Sequence, residues 1–228
     1  MIVIGNGMLA NAFEASHIER QGLVMFCSGV SNSNETSSDQ FSREKALLLK
    51  TIQGNSGRKI VYFSSCAAGL INTPYYQHKM AMEQVVMSMA EQYLIVRLPQ
   101  VVGLAKNATL VIHIAGCIRS ETPITVFRGA KRNLIDVDDV VRLTLYLVDL
   151  DNMLINVTNA NMLPVEEIVH MISVILGNQP IILAGPPDAD APDYDGGRLK
   201  NLIGQADIIY SPSYNQVILS KYVPLLSD

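Results

Sequence analysis

The sequence predicts an α/β protein with a doubly wound parallel sheet and a small C-terminal lobe. Short apolar segments rich in Val, Ile and Leu alternate with longer helix-compatible segments, a pattern typical of strands buried on both faces. The first apolar segment runs directly into a glycine-containing turn. The length of 228 residues suits one compact unit with a small appended lobe.

The alternation assigns the elements in order. We predict strands at 1–5, 23–27, 59–64, 93–98 and 154–158, with a shorter strand near 124–127. We predict helices at 8–20, 39–53, 75–91, 107–120, 137–149, 164–176 and 213–222. Pro164 at a first helical position is a start signal, and Gly177 is a stop signal. The Pro-, Asp- and Gly-rich segment 185–197 is predicted to be a loop.

Composition and charge exclude several classes of function. A formal net charge of -4 gives no electrostatic case for nucleic-acid binding. The three cysteines are scattered, which argues against a disulfide framework and fits a reducing, cytoplasmic location. The four histidines show no ligand spacing, so no metal site is expected. The N-terminus lacks a signal-peptide pattern and no apolar run is long enough to span a bilayer, so no membrane partner is expected.

A glycine turn between the first strand and the first helix predicts dinucleotide binding. Residues 5–10 read Gly-Asn-Gly-Met-Leu-Ala. Gly5 allows a tight turn, Gly7 lets a pyrophosphate approach the backbone, and Ala10 keeps the helix close to the strand. The helix N-terminus then offers free N–H groups to the phosphates. The cofactor is therefore expected to contact the residues of this turn: Gly5, Asn6, Gly7, Met8 and Leu9.

A serine strand followed by a Tyr-x-x-x-Lys helix predicts proton-transfer chemistry. Tyr75 and Lys79 share one helix face, so a lysine charge beside the phenol should lower the pKa of the tyrosine. Such a phenol can exchange a proton with a carbinol or carbonyl oxygen, which a serine hydroxyl can hold. Ser64 and Ser65 point in opposite directions along a strand, and we assign the catalytic role to Ser65. The predicted catalytic residues are Ser65, Tyr75 and Lys79.

The two motifs together resemble the short-chain dehydrogenase/reductase superfamily, most closely its extended branch of sugar-nucleotide epimerases and reductases. Segment 61–65 resembles the strand that carries the catalytic serine, and 97–103 resembles the strand and loop that pass the nicotinamide. Segment 132–139 is similar to the superfamily's Arg-x-x-Ile-x-Val-x-Asp segment. In relatives its arginine contacts the phosphates of the nucleotide sugar. The resemblance implies a Rossmann-like sheet, a nucleotide-sugar substrate and a homodimer.

The resemblance also implies the remaining site residues. The cofactor is NAD or NADP, and beyond the glycine turn it is expected to contact Cys27, Ser28, Gly29, Tyr75, Lys79, Pro99, Gln100 and Val101. The nucleotide sugar is expected to bind through Ser65, Gln100, Arg132 and Arg198. Residues 1–158 would form the dinucleotide-binding domain, with 104–127 partly in the substrate lobe, and 159–228 would form the substrate-binding region.

One departure from the superfamily concerns the second strand. An acidic residue that binds the adenosine ribose is expected about 20 positions after the glycines, but segment 23–27 contains none. Two interpretations follow. In the first, which we favour, two strand–helix units are deleted and this strand is the superfamily's fourth. In the second it is a true second strand, and a 2′-phosphate of NADP is bound by Ser28, Ser31, Asn32 and Arg43.

The residues after Ser65 disfavour one reaction of the superfamily and leave two others possible. Dehydratases of the superfamily carry an Asp-Glu pair after the catalytic Ser or Thr, whereas Cys66 and Ala67 follow Ser65, which disfavours dehydration. Keto-sugar reduction and epimerisation both remain open as reactions. The expected setting of either reaction is cell-surface polysaccharide biosynthesis. The shortened cofactor domain favours a reductase that binds and releases NAD(P)H in each turnover. The alternatives are a non-catalytic sensor or structural relative, and a reductase of a non-sugar carbonyl compound that would not need Arg132.

Overall fold

The structure, a computed structural model, describes residues 1–105, 109–150, 152–159, 161–188 and 194–226. Its strands are β1 (Ile2–Ile4), β2 (Leu23–Phe26), β3 (Lys59–Ser65), β4 (Gln92–Leu98), β5 (Gln100–Val102), β6 (Ile124–Arg128), β7 (Lys131–Asp136), β8 (Met153–Asn156), β9 (Met162–Pro164) and β10 (Ile182–Pro187). Its helices are α1 (Met8–Ala15), α2 (Ser38–Gln53), α3 (Pro74–Met89), α4 (Leu110–Arg119), α5 (Val137–Leu147), α6 (Val165–Leu176), α7 (Gly197–Ile203) and α8 (Tyr214–Tyr222). Two short 3-10 helices lie at Ile208–Tyr210 and Val223–Leu225.

Packing divides the chain into two compact units. The first comprises Met1–Leu98 and Asp138–Val157, and the second comprises Pro99–Val137 and Thr158–Asp228. The sequence predicts that residues 1–158 bind the cofactor and that residues 159–228 bind the substrate. This assignment concerns ligands, so the division into units does not test it and it stays a prediction. None of the described helices is both long and apolar enough to cross a bilayer.

The first unit is built on a five-stranded sheet in the order β1-β2-β3-β4-β8, and every neighbouring pair is parallel. All four residues of β2 and the five central residues of β3 are buried, which explains their almost uniformly apolar sequences. The sheet confirms the predicted α/β fold with a parallel, Rossmann-like sheet.

The helices of this unit cover different faces of the sheet. Helices α2 and α3 pack on one face in a core of Val24, Phe26, Leu48, Ile52, Ile60, Tyr62, Met82, Val86 and Ile95. Each large apolar side chain buried there stabilises the fold by roughly 1.5–3 kcal/mol. Helix α1 lies on the opposite face, because Phe13 packs against Phe63 with ring centroids 5.5 Å apart. Phe63 follows Tyr62 in β3 and so points the other way.

The position of α1 separates the two interpretations of the second strand. If β2 were the superfamily's second strand, the crossovers from β1 to β2 and from β2 to β3 would both be right-handed. Because both crossovers run in the same direction across the sheet, α1 and α2 would then lie on the same face. They lie on opposite faces. A deletion accounts for this, because α1 keeps the face that it has in the full fold while the chain joins directly to the fourth strand. The sheet is therefore a shortened Rossmann sheet.

The second unit contains two smaller sheets. Strands β5, β7 and β9 form one of them, with β5 parallel and β9 antiparallel to β7, and β6 and β10 form a parallel pair. The buried Asp136 at the end of β7 anchors α8, because it accepts hydrogen bonds from Lys221 and Tyr222 at 2.8 and 2.7 Å. Helix α8 is thereby fixed to the sheet by a buried carboxylate.

Every predicted strand and helix is present, with shifted ends. The predicted helix 8–20 ends at Ala15, where the Ser16 hydroxyl bonds the Phe13 carbonyl and His17 takes a φ of 51°. Pro164 precedes the first residue of α6 rather than occupying it. The predicted loop 185–197 is interrupted, since β10 extends into it and α7 begins at its end, while its residues 189–193 and residues 107 and 108 of a predicted helix lie outside the described residues.

Candidate active site

The glycine turn lies where β1 ends and α1 begins. Gly5 has a φ of 132°, and a Cβ there would lie 2.8 Å from the Cys27 carbonyl oxygen, so only glycine fits. A Cβ on Gly7 would meet nothing within 4 Å. Helix α1 starts at Met8 without a side-chain cap, so its first backbone N–H groups lack helical partners. Open space beside free N–H groups fits the phosphates of a dinucleotide.

The loop after β2 joins the glycine turn to helix α3. Cys27 N–H donates to the Ile4 carbonyl at 2.8 Å, which holds the start of this loop against the end of β1. Two residues later, a Cβ on Gly29 would lie 2.7 Å from Lys79 Nζ. The lysine ammonium therefore lies directly over the backbone of the loop. The predicted cofactor residues Gly5, Cys27 and Gly29 thus lie in one continuous stretch of contacts that ends at Lys79.

The predicted catalytic residues lie at the carboxyl end of β3 and the start of α3. Tyr75 and Lys79 are both buried, and Lys79 Nζ is 5.7 Å from the Tyr75 ring centroid. Ser65 is the last residue of β3, is half-buried, and accepts a hydrogen bond from Ala67 N–H at 3.3 Å. Ser64 is buried and donates to Glu83 at 2.6 Å. Of the two serines, Ser65 has the more accessible position.

A buried glutamate of α2 organises the surroundings of Lys79. Glu44 is fully buried, and one of its oxygens accepts from the Tyr62 hydroxyl at 2.6 Å and from Lys79 Nζ at 3.2 Å. The other oxygen lies 2.6 Å from Val30 N–H and 3.0 Å from His78 Nε2. Lys79 Nζ also lies 3.3 Å from the Tyr62 hydroxyl. We call Glu44, Tyr62, His78 and Lys79 the Glu44 cluster.

The Glu44 cluster controls the ionisation of its members. Burial alone would raise the pKa of Glu44, but the His78 hydrogen bond, the Lys79 charge and two further donors outweigh it and lower the pKa to about 2. Burial lowers the pKa of Lys79, and Glu44 opposes this shift. The pKa of Tyr75 is raised above its ordinary value by burial, by Tyr76 and by the charge of Glu44. These causes fix the net direction for Tyr75, and the predicted lowering of its pKa by Lys79 stays a prediction.

A second buried glutamate on α3 forms a separate group, the Glu83 cluster, made of Glu83, Arg97 and Ser64. Arg97 Nε and one terminal nitrogen donate to the two Glu83 oxygens at 2.7 and 2.6 Å. This two-point bond raises the pKa of Arg97. The cluster joins α3 to β3 and β4, and it holds Ser64 away from a ligand role.

The other predicted site residues lie mostly in the second unit. Pro99, Gln100 and Val101 follow β4 directly, and the last two belong to β5. Arg132 pairs with Asp188 at 3.2 Å and also donates to the Lys131 carbonyl at 2.8 Å. Arg198 lies in α7. A diphosphate at Arg132 would therefore compete with Asp188. These assignments stay predictions.

Cys66 and Cys27 show no sign of a reactive thiol, and the described residues form no metal site. Cys66 is buried and its thiol donates to the Arg97 carbonyl at 3.2 Å, and burial raises the pKa of this thiol. Cys27 lies beside the glycine turn, and burial likewise raises its pKa. Within the described ranges, no three His, Cys, Asp or Glu side chains lie close enough to hold a metal ion.

The sequence analysis did not identify the Glu44 cluster, because the charged stretch Ser-Arg-Glu-Lys around Glu44 is typical of a solvent-exposed helix surface. One signal was available. Glu44 precedes the buried Leu48 and Ile52 by four and eight residues, so all three share a face of α2. A charged residue on an apolar face needs a partner, and the nearest motif with a cation was the Tyr-x-x-x-Lys helix.

The glycine turn, the shortened parallel sheet and the Tyr-x-x-x-Lys helix define a protein of the short-chain dehydrogenase/reductase class. The model of the NAD dependent epimerase/dehydratase family matches residues 22–157, and the chain belongs to this family. The match begins beside β2, not at β1. Family membership confirms the resemblance found in the sequence and NAD or NADP as the class of cofactor. A comparison with the curated proteins gives no match.

Solved structures share the fold at low sequence identity. The UDP-glucose 4-epimerase of Thermus thermophilus in complex with NAD is 15% identical with a TM-score of 0.72, covering 95% of this chain and 82% of that one. RMD of Pseudomonas aeruginosa complexed with NADPH is 14% identical with a TM-score of 0.74, covering 96% and 98%. The UDP-Glc/GlcNAc 4-epimerase of Campylobacter jejuni is 17% identical with a TM-score of 0.69, covering 95% and 80%. These likenesses establish the fold.

Proposed function

We propose that the protein is an NAD(P)-dependent oxidoreductase that acts on a nucleotide-linked sugar, by keto-sugar reduction or by epimerisation. The observation that supports this most directly is the stretch of contacts from the glycine turn through the loop after β2 to Lys79. It joins the predicted dinucleotide site to the predicted proton-transfer residues within one compact unit. Family membership and the nucleotide-sugar enzymes among the solved structures support the substrate class.

Each predicted catalytic residue has a defined task. Tyr75 moves a proton to or from the reacting sugar oxygen, and Ser65 holds that oxygen by a hydrogen bond. Lys79 lies over the Gly29 backbone, where it can also hold the cofactor ribose. The nicotinamide, when bound, supplies or accepts the hydride. Arg132 and Arg198 are proposed to bind the diphosphate of the substrate.

The biological setting is part of the proposal. We propose a role in cell-surface polysaccharide biosynthesis, because that process consumes nucleotide-linked sugars. A homodimer is proposed from the superfamily resemblance. Dehydration is not proposed, because Cys66 and Ala67 follow Ser65 and carry no carboxylate for acid–base work on the sugar ring.

Cofactor binding tests the first half of the proposal. NADH and NADPH are titrated into the purified protein by calorimetry, and mass spectrometry identifies any cofactor that is carried through purification. Gly7→Val should weaken binding at least about tenfold, or ~1.4 kcal/mol, because it fills the open space at the start of α1. Gly116→Val is the matched control, since a Cβ there also meets nothing within 4 Å. No binding at millimolar concentration would favour the non-catalytic sensor or structural alternative.

Turnover of nucleotide-linked keto sugars tests the second half. Tyr75→Phe should lower kcat by about 10²–10⁴-fold with cofactor affinity unchanged, because only the proton-transfer group is removed. The control is Tyr76→Phe, which alters the neighbouring ring of the same helix. Wild-type activity in the Tyr75→Phe protein would contradict the catalytic assignment. Unchanged substrate binding in Arg132→Ala would favour a carbonyl substrate without a diphosphate.

A further inference from the structure

A cavity of about 420 Å³ lies in the second unit, among β9, α6 and the start of α8. This volume is within the range of ~300–1,000 Å³ that is usual for small-molecule sites. The apolar wall of the cavity includes Met162, Leu163 and Met171. Its polar lining consists of Asn161, Glu167 and Asn215. The proposed function gives none of these residues a task.

A ladder of buried asparagine side chains orients the polar floor of this cavity. Asn133 Nδ2 donates to Asn159 Oδ1 at 3.1 Å, and Asn159 Nδ2 in turn donates to Asn215 Oδ1 at 3.0 Å. Asn159 Nδ2 also donates to the Leu134 carbonyl, and Asn159 Oδ1 accepts from the Asn161 backbone N–H at 2.6 Å. These four bonds allow one orientation of the Asn159 amide, so Asn215 must present its oxygen to the ladder.

The last side chain of the ladder has an unused hydrogen-bond donor. Asn215 is only 3% exposed, it lines the cavity, and its oxygen is engaged by Asn159. Among the residues that the structure describes, the Asn215 amide nitrogen has no hydrogen-bond partner. An unpaired donor at a nearly buried position costs free energy unless another molecule accepts its hydrogens. The cavity therefore suits a ligand that offers a hydrogen-bond acceptor to Asn215.

The remaining polar groups narrow the chemistry of this ligand. Within the described part of the chain, neither the Asn161 side chain nor the Glu167 carboxylate has a hydrogen-bond or ion-pair partner. Glu167 is the one charged residue of the described lining, so a phosphate or carboxylate ligand would be repelled. An ammonium group would satisfy Glu167 but has no acceptor for Asn215. A hydroxyl group both donates and accepts, so a ligand with several hydroxyls satisfies both residues.

We propose that this cavity binds a neutral sugar that carries no nucleotide, as a second ligand beside the nucleotide-linked sugar of the proposed function. One ring hydroxyl accepts from the Asn215 amide nitrogen, and another donates to the Glu167 carboxylate. The Asn161 amide both donates to and accepts from the hydroxyls between them. The C–H edges of the ring pack against the apolar wall. Binding needs neither NAD nor NADP.

Free monosaccharides test the proposal directly. Glucose, galactose and N-acetylglucosamine are titrated into isotope-labelled protein, and the side-chain amide signals are followed by NMR. At least one sugar should bind saturably with a Kd on the order of 1 mM and shift the Asn215 amide signals, which are assigned by their loss in Asn215→Asp. Glu167→Ala should weaken binding by about tenfold, because a hydrogen bond to a charged group is lost. Glu166→Ala is the matched control, since it removes the neighbouring exposed carboxylate of the same helical turn and should leave the affinity unchanged.

The opposite results are equally defined. No saturable binding of any of the three sugars at up to ~50 mM overturns the proposal. Binding that keeps its affinity in both Glu167→Ala and Asn161→Ala also overturns it, because the sugar then lies elsewhere. Glu167 is exposed and Asn161 is half-buried, so these two variants decide the matter even if Asn215→Asp does not fold. Butylammonium chloride that binds where the sugars do not would assign the cavity to a cation and contradict the proposal.

Titration with UDP separates this cavity from the proposed substrate site. Leu163 of the apolar wall lies opposite Arg132 in the β7–β9 ladder, and Arg132 is proposed to bind the substrate diphosphate. UDP should leave the sugar affinity unchanged, whereas displacement of the sugar by UDP would make the cavity part of the substrate site and overturn the proposal. Sugar binding in a protein that binds neither NADH nor NADPH would support this site and defeat only the proposed function.

Discussion

The two buried glutamates of the first unit make an instructive pair. Glu44 and Glu83 both lie on helices that cover the same face of the sheet, and both bind one cation of a neighbouring element. Glu83 has two partners, Arg97 and Ser64, and the arginine closes a two-point bond. Glu44 has four donors, and they include the loop after β2 and the predicted catalytic lysine.

The difference shows how one kind of buried charge serves two purposes. The guanidinium of Arg97 fits a carboxylate in one geometry and is always charged, so the Glu83 cluster fixes α3 on β3 and β4. Lysine is a point charge whose pKa responds to burial, and it lies against a loop that a cofactor is expected to reach. Redundant donors around Glu44 keep its charge in place even when one partner takes part in another interaction.

The largest effect should come from removing the cation of each cluster. Arg97→Met leaves Glu83 buried with one donor and should lower the free energy of unfolding by about 3–5 kcal/mol, measured by urea denaturation. Lys79→Met should cost less, because Tyr62, His78 and the Val30 amide still satisfy Glu44. A greater loss in Lys79→Met than in Arg97→Met would break the comparison.

Acid should act on the Glu44 cluster in a defined pH window. The pKa of Glu44 is lowered from 4.5 to about 2 in the folded chain, so its stabilising contribution is complete above pH 4.5 and is lost as the pH falls towards 2. The free energy of unfolding of the wild type should therefore fall in this window more than that of Glu44→Gln, in which the group does not titrate. Urea denaturation of both proteins at a series of pH values measures the difference, and parallel curves would contradict the ionised, donor-rich state of Glu44.

The smallest effect should come from removing one hydroxyl donor from each cluster. Ser64→Ala should lower the free energy of unfolding by about 1.5–3 kcal/mol, since Glu83 loses one of its two partners. Tyr62→Phe should cost less, nearer ~1 kcal/mol, because Glu44 keeps three donors. Thermal or urea unfolding of the two variants decides between them, and equal costs would mean that the extra donors of Glu44 bring no redundancy.

Much of the fold could be predicted because burial and backbone conformation restrict which residues can occupy its strands and turns. The strands of the main sheet are apolar because both faces are covered, and the turn at Gly5 requires glycine. The short strands β5, β7 and β9 were not predicted, because they form in the second unit by pairing with segments distant in sequence. Their three to six residues carry too little pattern to distinguish a strand from a loop.

The sequence predicted the individual residues of the candidate site but not the contacts between them. Tyr75, Lys79 and Ser65 follow from spacing and resemblance, and the structure places them at the carboxyl end of β3 and the start of α3. The partner of Lys79 could not be predicted in the same way, because Glu44 lies 35 residues earlier in a charged stretch. The effect of a lysine on a tyrosine depends on every other charge nearby, and spacing along one helix does not contain that information.

The position of α1 also bears on the chirality of the sheet. The steps from β1 to β2 and from β2 to β3 run the same way, yet α1 and α2 lie on opposite faces, so the two crossovers have opposite hands. Since almost all parallel crossovers are right-handed, β1–α1–β2 is the left-handed one. A left-handed crossover is the result expected when two right-handed units are excised and the ends are rejoined. The turn at 16–22 is therefore the point of rejoining, and insertion of two strand–helix units there would restore a right-handed path throughout.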